Sequence, residues 1–242
     1  ISFAIKKKIL LINAESKSEI LEIEKIEKIK KQKVNVGIRL NPNTDAKTLS
    51  QISTGKKENK FGVSEKKFLE LTKYIKNSKY MNLMCLSVHI GSQILDTKPY
   101  EKMLMVLNKI IKKTNYHFEY IDLGGGMGID YENNKKKLNL KKYSLIVKKF
   151  KEKHKTKIIF EPGRSIIGNS GILISKIIYI KESHKKNFII LDAAMNDFMR
   201  PALYNAKHRI IPAIKNKNQS DKTYEFVGPI CESTDKFLTQ KK

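Results

Sequence analysis

The sequence predicts an α/β fold: a parallel sheet flanked by helices, followed by a region built only from strands. Three observations support this prediction. Short apolar segments alternate with amphipathic helical patterns up to about residue 168, glycine- and proline-containing loops follow the strands, and the helical patterns then stop. Such alternation is typical of a doubly wound sheet or of a (β/α) barrel, and the residues alone leave both open.

Five strands are predicted in the first region. Each is a run of apolar and β-branched residues, as in strands buried on both faces. They occupy residues 9–13, 34–40, 83–90, 120–124 and 157–161. A complete barrel has eight strands, so the barrel interpretation requires three more strands outside this set.

Four helices are predicted between these strands, because apolar residues recur there at spacings of three and four. Pro99 suits the first turn of the third helix. The apolar faces comprise Ile20, Ile23, Ile26 and Ile29; Phe68, Leu71, Thr72 and Ile75; Met103, Leu104, Leu107, Ile110 and Ile111; and Tyr143, Ile146, Val147 and Phe150.

The pattern changes after Gly168. Residues 171–183, 186–193 and 222–230 are strand-like, and no helical pattern of useful length separates them. We therefore predict two domains, an α/β domain over residues 1–168 and part of a β-domain over residues 169–242.

Composition and charge exclude several classes of protein. The 242 residues are 40% hydrophobic, enough for one large core, and no apolar run reaches the roughly 20 residues that cross a bilayer. Two widely separated cysteines indicate neither a disulfide framework nor a metal site, so we expect a cytoplasmic, metal-free protein. The net charge of +25 comes from lysines spread along the chain without interleaved aromatics, so we expect no nucleic-acid partner.

The loops that follow the predicted parallel strands contain most of the unusual residues. They read NPNTD, HIGSQ, GGGMG and EPGR, and such loops form the active site in parallel α/β folds. Four of the 12 glycines lie between Gly124 and Gly128. Their backbone N–H groups suit a phosphate, although a tight turn explains the cluster equally well. A dinucleotide site is disfavoured, because these glycines lie in the fourth visible unit rather than the first.

Arginine distribution also distinguishes these loops. Only four of the 49 basic residues are arginine, and Arg164 and Arg200 lie within the motifs EPGR and DFMRPALY. A guanidinium binds a carboxylate or phosphate through two parallel hydrogen bonds, so these two arginines are candidates for ligand binding. The alternative is that they form structural ion pairs. His89, at the end of an apolar strand, is either a satisfied core histidine or a ring that stacks on a planar cofactor.

The motifs HIGSQI, DLGGGMGI, EPGRSIIGNSG, MNDFMRPALY and GPICESTD stand in the order and approximate spacing of the diaminopimelate decarboxylase family. The chain resembles that family from about Val34 onward. The family belongs to the pyridoxal-phosphate decarboxylases of the alanine-racemase-like fold. The resemblance therefore implies a partial (β/α)8 TIM barrel over residues 1–168, followed by part of an all-β C-terminal domain.

The resemblance implies a pyridoxal 5'-phosphate site at the strand ends. Glu161 would pair with the pyridine nitrogen, and His89 would stack on the ring. The remaining cofactor-binding residues would surround the phosphate: Ser92, Gly124, Gly125, Gly126, Pro162, Gly163 and Arg164.

The implied reaction converts meso-diaminopimelate into L-lysine. Arg164, Arg200 and Tyr204 would hold substrate carboxylates, with Glu232 available for an ammonium group. The resemblance makes Cys231 the proton donor, acting in the active site of a partner subunit, so it implies a homodimer. Cys85, within an apolar strand, is expected to be a core side chain.

The family's Schiff-base lysine would precede Ile1, and a cofactor-binding tyrosine would follow Lys242. We therefore expect an internal fragment of the enzyme that is inactive alone. Alternatives are a decarboxylase of the same fold acting on ornithine, arginine, or a siderophore or polyamine precursor; a truncated, non-catalytic paralogue; and a basic nucleic-acid-binding module.

Overall fold

The computed structural model describes residues 1–30, 33–44, 60–214 and 222–241. The chain divides into two compact units. The first comprises Ile1–Ile129 and Lys137–Asn169, and the second comprises Asp130–Lys136 and Ser170–Lys242. Asp45, the last residue of the predicted NPNTD loop, lies outside the described residues.

The first unit contains a five-stranded parallel sheet whose spatial order follows the chain. A doubly wound sheet reverses its strand order at a switch point, whereas consecutive units of a barrel do not. The sheet order therefore favours the barrel, and the predicted partial barrel with a separate β-region is confirmed. The strands are β1 (Ile12–Ala14), β2 (Val34–Arg39), β3 (Met81–Ser87), β4 (Tyr120–Asp122) and β5 (Lys157–Ile159).

Six helices of the described chain lie in this unit, and four of them match the predicted amphipathic segments. Capping side chains mark the first turns of two helices. The Ser64 hydroxyl accepts a hydrogen bond from the Lys67 N–H, and the side-chain oxygen of Asn139 accepts one from the Lys142 N–H. Pro99 lies in a first turn, as predicted. The helices are α1 (Ser2–Lys6), α2 (Lys17–Lys30), α3 (Glu65–Lys76), α4 (Lys98–Thr114), α5 (Leu140–His154) and α6 (Arg164–Ile167). Sequence reasoning missed the short α1 and α6.

The sheet and helices enclose one hydrophobic core, and strand register aligns its side chains in rows. Ile38 lies opposite Leu86, and Leu86 lies opposite Ile121. All three are fully buried. The prediction that every strand is buried on both faces was wrong for β5, where Lys157 is exposed and Ile158 and Ile159 are half-buried. Within the described sheet, β5 is an edge strand with β4 as its single neighbour.

The second unit contains a four-stranded sheet of order β6-β7-β8-β9. Its outer pairs are antiparallel, and the central β7 and β8 are parallel. The predicted strands are present, but sequence reasoning missed β9 and the one-turn helix α7. The elements are β6 (Ile177–Lys181), β7 (Asn187–Leu191), α7 (Arg200–Tyr204), β8 (Thr223–Val227) and β9 (Lys236–Lys241). None of the described helices is long and apolar enough to cross a membrane.

Replacing Leu86 by Ala in the full-length protein tests the core. Leu86 lies on the central strand and is fully buried, so truncation leaves a cavity that costs about 2–5 kcal/mol of unfolding free energy. Chemical denaturation measures this loss. Leu145→Ala is the matched control, because Leu145 is 58% exposed, and its loss is expected within about 0.5 kcal/mol. Equal losses for the two variants would contradict the predicted packing.

Candidate active site

Each parallel strand of the first unit ends at or just before an ionisable residue. Since parallel strands present their carboxyl ends at one edge, these side chains gather there. The five are Glu15, Arg39, His89, Asp122 and Glu161. Sequence analysis assigned site roles to His89 and Glu161 but none to Glu15, Arg39 or Asp122.

The glycine loop packs directly against the two neighbouring loops. The Glu161 N–H donates to the Gly124 carbonyl over 2.9 Å. A Cβ on Gly125 would overlap the Glu161 carbonyl oxygen, and one on Gly126 would overlap the Gly91 carbonyl oxygen. Gly124 and Gly126 also have φ values of 64° and 87°, which favour glycine. The loop is therefore a tight turn whose backbone can approach a ligand closely.

The His89 ring is oriented by this loop. Its Nδ1 accepts a hydrogen bond from the Gly125 N–H over 3.2 Å, so the neutral ring carries its proton on Nε2. Burial, and then the positive charge of Arg39, lower the pKa of His89. A flat, neutral imidazole therefore stands beside the glycine loop.

Asp122 is the buried charge of this edge, with 1% of its surface exposed. Its Oδ1 accepts from the Gly124 N–H over 2.9 Å. Its Oδ2 accepts from Asn13 Nδ2 over 2.9 Å and from the Ser87 hydroxyl over 3.2 Å. Gly37 on β2 leaves the space that the Asn13 amide occupies, because a Cβ there would overlap Asn13 Oδ1. One carboxylate thus connects β1, β3, β4 and the glycine loop.

Glu161 follows β5, and its carboxyl group interacts electrostatically with that of Asp122. Burial, and then the negative charge of Asp122, raise the pKa of Glu161, whereas Arg39 lowers it. Arg39 Nη1 lies 2.5 Å from Glu15 Oε1, so this cation is already paired. Glu161 consequently holds its proton more tightly than an isolated glutamate.

Arg164 connects the EPGR and HIGSQ loops. Its Nη1 donates to Gln93 Oε1 over 3.1 Å, and the same amide oxygen accepts from the Ile129 N–H over 3.2 Å. Ser92 precedes Gln93 and is half-buried, as is Pro162, whereas Gly163 is exposed. Arg164 begins α6, and the other predicted cofactor-binding residues lie in the three loops that follow β3, β4 and β5.

Arg200, Tyr204, Cys231 and Glu232 all lie in the second unit. Arg200 and Tyr204 begin and end the single turn α7, a separation that places two side chains on one helix face. The guanidinium of Arg200 donates from Nη1 to the Tyr131 hydroxyl over 3.3 Å and stands 5.1 Å from the centre of that ring. Tyr131 therefore positions the guanidinium.

Cys231 is exposed, in the loop between β8 and β9, and Glu232 beside it is exposed too. Asp235 holds this loop and was missed by sequence analysis, although the GPICESTD motif includes it. Its Oδ2 accepts from the Ile230 N–H over 2.9 Å, and its Oδ1 accepts from the Met195 N–H over 2.7 Å. Met195 begins the MNDFMRPALY segment, so the two motifs lie side by side. Cys85, by contrast, is a core thiol, and burial raises its pKa to about 12.

The family model for the pyridoxal binding domain of pyridoxal-dependent decarboxylases matches residues 1–168. The chain belongs to this family. The match extends over the first unit's sheet and its three site loops, and it confirms the predicted resemblance.

Several curated relatives of this chain are named diaminopimelate decarboxylase. The diaminopimelate decarboxylase of Helicobacter pylori is 42% identical over 97% of this chain and 58% of its own length. That of Aquifex aeolicus is 39% identical over 96% of this chain and 56% of its own length. A crystal structure of the Helicobacter pylori enzyme complexed with L-lysine matches all of this chain and 61% of that chain, with 40% identity and a TM-score of 0.91. The chain thus spans just over half the length of the curated relatives it matches.

Gly125→Ala in the full-length protein tests the glycine loop. The new Cβ would displace the loop from the Glu161 carbonyl, and an overpacking cost of about 1–3 kcal/mol would lower pyridoxal-phosphate affinity by about 5- to 150-fold. Cofactor absorbance titration measures it. Gly171→Ala is the control, because no atom lies within 4 Å of a Cβ there. Wild-type affinity for Gly125→Ala would contradict the packing.

His89 provides a pH test. Because burial and Arg39 lower its pKa in the folded apoprotein, its ring should titrate below the ordinary value of about 6.5. Protonation of His89 should therefore reduce folding stability as the pH falls below that value. NMR of the imidazole resonances measures the midpoint, and Arg39→Gln should move it upward. A midpoint at or above the ordinary value would be inconsistent with this environment.

Proposed function

We propose that the full-length protein decarboxylates meso-diaminopimelate to L-lysine with pyridoxal phosphate. The observation that supports this substrate most directly is the contact between the MNDFMRPALY and GPICESTD motifs through Asp235. The names of the curated relatives, and the L-lysine in a related crystal structure, support the same reaction. We also propose a domain boundary between residues 168 and 169, with the pyridoxal-phosphate domain before it and the β-domain after it. The segment Asp130–Lys136 nevertheless groups with the second unit.

The first unit fits the cofactor. The close approach of the glycine loop leaves its backbone unobstructed for a phosphate, and Glu161 supplies a carboxyl with a raised pKa for a pyridine nitrogen. The neutral ring of His89 suits stacking. Ser92 and the turn of Pro162, Gly163 and Arg164 complete the proposed phosphate contacts. When bound, the cofactor accepts the electrons left behind by the departing carboxylate.

The second unit supplies opposite charges for a substrate with an amino-acid group at each end. Arg200, oriented by Tyr131, and Tyr204 would bind a carboxylate, and Glu232 would bind an ammonium group. Arg164 of the first unit would contact a second carboxylate. Lysine, which lacks the distal carboxylate, should therefore be a poorer substrate.

Cys231 would return a proton to the α-carbon after carbon dioxide leaves. Its exposed position in a loop held by Asp235 suits a thiol that acts in a partner subunit of a homodimer. Both described cysteines are free thiols, which fits our proposal of a cytoplasmic enzyme. The proposal includes neither a membrane nor a nucleic-acid partner.

An assay of the full-length protein tests the reaction. Lysine formation from meso-diaminopimelate should exceed the decarboxylation of ornithine, arginine and polyamine or siderophore precursors. Preference for one of those amines would support the alternative substrate, and cofactor binding without turnover of any of them would support a non-catalytic paralogue.

Cys231→Ala in the full-length enzyme tests the proton donor. Loss of a general acid should reduce kcat by about 10²–10⁴-fold and leave pyridoxal-phosphate absorbance unchanged. Steady-state lysine production and cofactor titration measure the two effects. Cys85→Ala removes the buried thiol instead and should retain near wild-type turnover. Normal kcat in Cys231→Ala would refute the assignment.

A further inference from the structure

The hydroxyl of Tyr100 contacts the glycine loop, and the reaction proposed above assigns it no role. Tyr100 lies in the first turn of α4 and has no exposed surface. Its hydroxyl donates a hydrogen bond to the Gly125 carbonyl over 3.1 Å. Its ring packs against that of Tyr143, with 4.6 Å between the ring centroids. Helix α4 thus holds a phenol hydroxyl against the backbone of the proposed phosphate-binding loop.

The two peptide units that flank Gly125 are held differently. In the unit before it, the Gly124 carbonyl accepts a hydrogen bond from the Glu161 N–H over 2.9 Å. The N–H of that same unit, which belongs to Gly125, donates to His89 Nδ1 over 3.2 Å. In the unit after it, the Gly125 carbonyl accepts from the Tyr100 hydroxyl. Two hydrogen bonds therefore hold the first unit, whereas Tyr100 provides the hydrogen bond that holds the second.

The N–H of the second unit belongs to Gly126, and it has no hydrogen-bond partner among the described residues. The carbonyl and the N–H of a trans peptide point in opposite directions. Holding the Gly125 carbonyl toward Tyr100 therefore directs the Gly126 N–H away from α4. Glycine on both sides gives this unit unusual rotational freedom, and Gly126 has a φ of 87°. Loss of the Tyr100 bond would therefore free the unit to turn and withdraw that donor.

The hydroxyl of Tyr100 is needed for this contact, and the ring alone is not sufficient. A phenylalanine would fill the same space, but it would leave the buried Gly125 carbonyl without a donor, which disfavours this conformation of the loop. Burial, and then the neighbouring Tyr143, raise the pKa of Tyr100, so its hydroxyl remains a donor throughout the neutral pH range.

We propose that Tyr100 is a positioning residue for the cofactor, whose hydroxyl fixes the peptide unit between Gly125 and Gly126 so that the Gly126 N–H faces the phosphate. A donor that is already oriented binds a phosphate oxygen more tightly than one that the ligand must first orient. Tyr100 acts through the loop and does not itself contact the phosphate. The inference rests on the proposed pyridoxal-phosphate site but not on the identity of the substrate.

Tyr100→Phe in the full-length protein removes the hydroxyl and keeps the ring. Its affinity for pyridoxal phosphate should fall by about 5- to 30-fold, the effect expected when a buried carbonyl loses its donor. Its affinity for pyridoxal, which lacks the phosphate, should stay close to that of the wild type. Absorbance titration with each ligand measures the difference. An equal loss of affinity for the two ligands would overturn the proposal.

Tyr116→Phe is the matched control for the loss of a hydrogen bond. Tyr116 follows the other end of α4, and its hydroxyl donates to the Leu83 carbonyl over 2.7 Å. This variant should lower the free energy of unfolding, measured by urea denaturation, by an amount similar to Tyr100→Phe, yet bind pyridoxal phosphate normally. Wild-type pyridoxal-phosphate affinity in Tyr100→Phe, or an equal loss in Tyr116→Phe, would overturn the proposal.

Tyr143→Phe controls for a change of side chain beside Tyr100. The Tyr143 hydroxyl is buried without a hydrogen-bond partner among the described residues, so its removal should weaken neither folding nor pyridoxal-phosphate binding. A loss of affinity equal to that of Tyr100→Phe would show that the Tyr100 hydroxyl has no particular role and would overturn the proposal.

Amide resonances of the wild-type apoprotein give a test that does not depend on the folding of any variant. Inorganic phosphate, added to the full-length protein containing isotope-labelled glycine, should shift the Gly126 N–H resonance, and Tyr100→Phe should require more phosphate for the same shift. An unresponsive Gly126 in the wild type would overturn the inference. A responsive Gly126 in a protein that does not bind pyridoxal phosphate would support the role of Tyr100 and refute the proposed cofactor.

Discussion

The buried carboxylate of Asp122 is the constraint on which the rest of the candidate site depends. A carboxylate in a protein interior is tolerated only when fixed donors replace its water, and here two strands and a loop supply them. Those donors cannot reach one carboxylate unless the strand ends are in register. Ser87 and Asp122 are indeed paired neighbours across β3 and β4. Satisfying one charge therefore aligns the edge at which the site is built.

Close backbone approach is the second requirement, and it explains why glycine occurs at particular positions. Gly37 makes room for the Asn13 amide that reaches Asp122, while Gly125 allows the glycine loop to lie on the Glu161 carbonyl. A side chain at either position would push apart elements that the hydrogen bonds draw together. The glycine cluster therefore serves internal packing, and this role is compatible with the proposed binding of a phosphate.

The sequence predicted the elements better than it predicted their contacts. The spacing of apolar residues located the five parallel strands and four long helices, because buried positions recur along the sequence in a regular pattern. Strand ends were placed too late in β3, β4 and β5, since apolar residues continue into the loops. The strand β9 was missed because its alternation is weak in KFLTQK. Asp122 was missed because its role comes from partners such as Asn13, 109 positions away.

Asp235 has the same structural role in the second unit as Asp122 has in the first. Both aspartates are at least 97% buried, and both accept backbone N–H groups from a loop that carries a proposed functional residue. Asp122 holds the loop of Gly124, and Asp235 holds the loop of Cys231. An aspartate at such a position contributes fixed geometry without touching substrate, because its acceptors are directed at backbone donors. In each unit, a buried aspartate beside a glycine therefore fixes the backbone of a loop that carries a proposed functional residue.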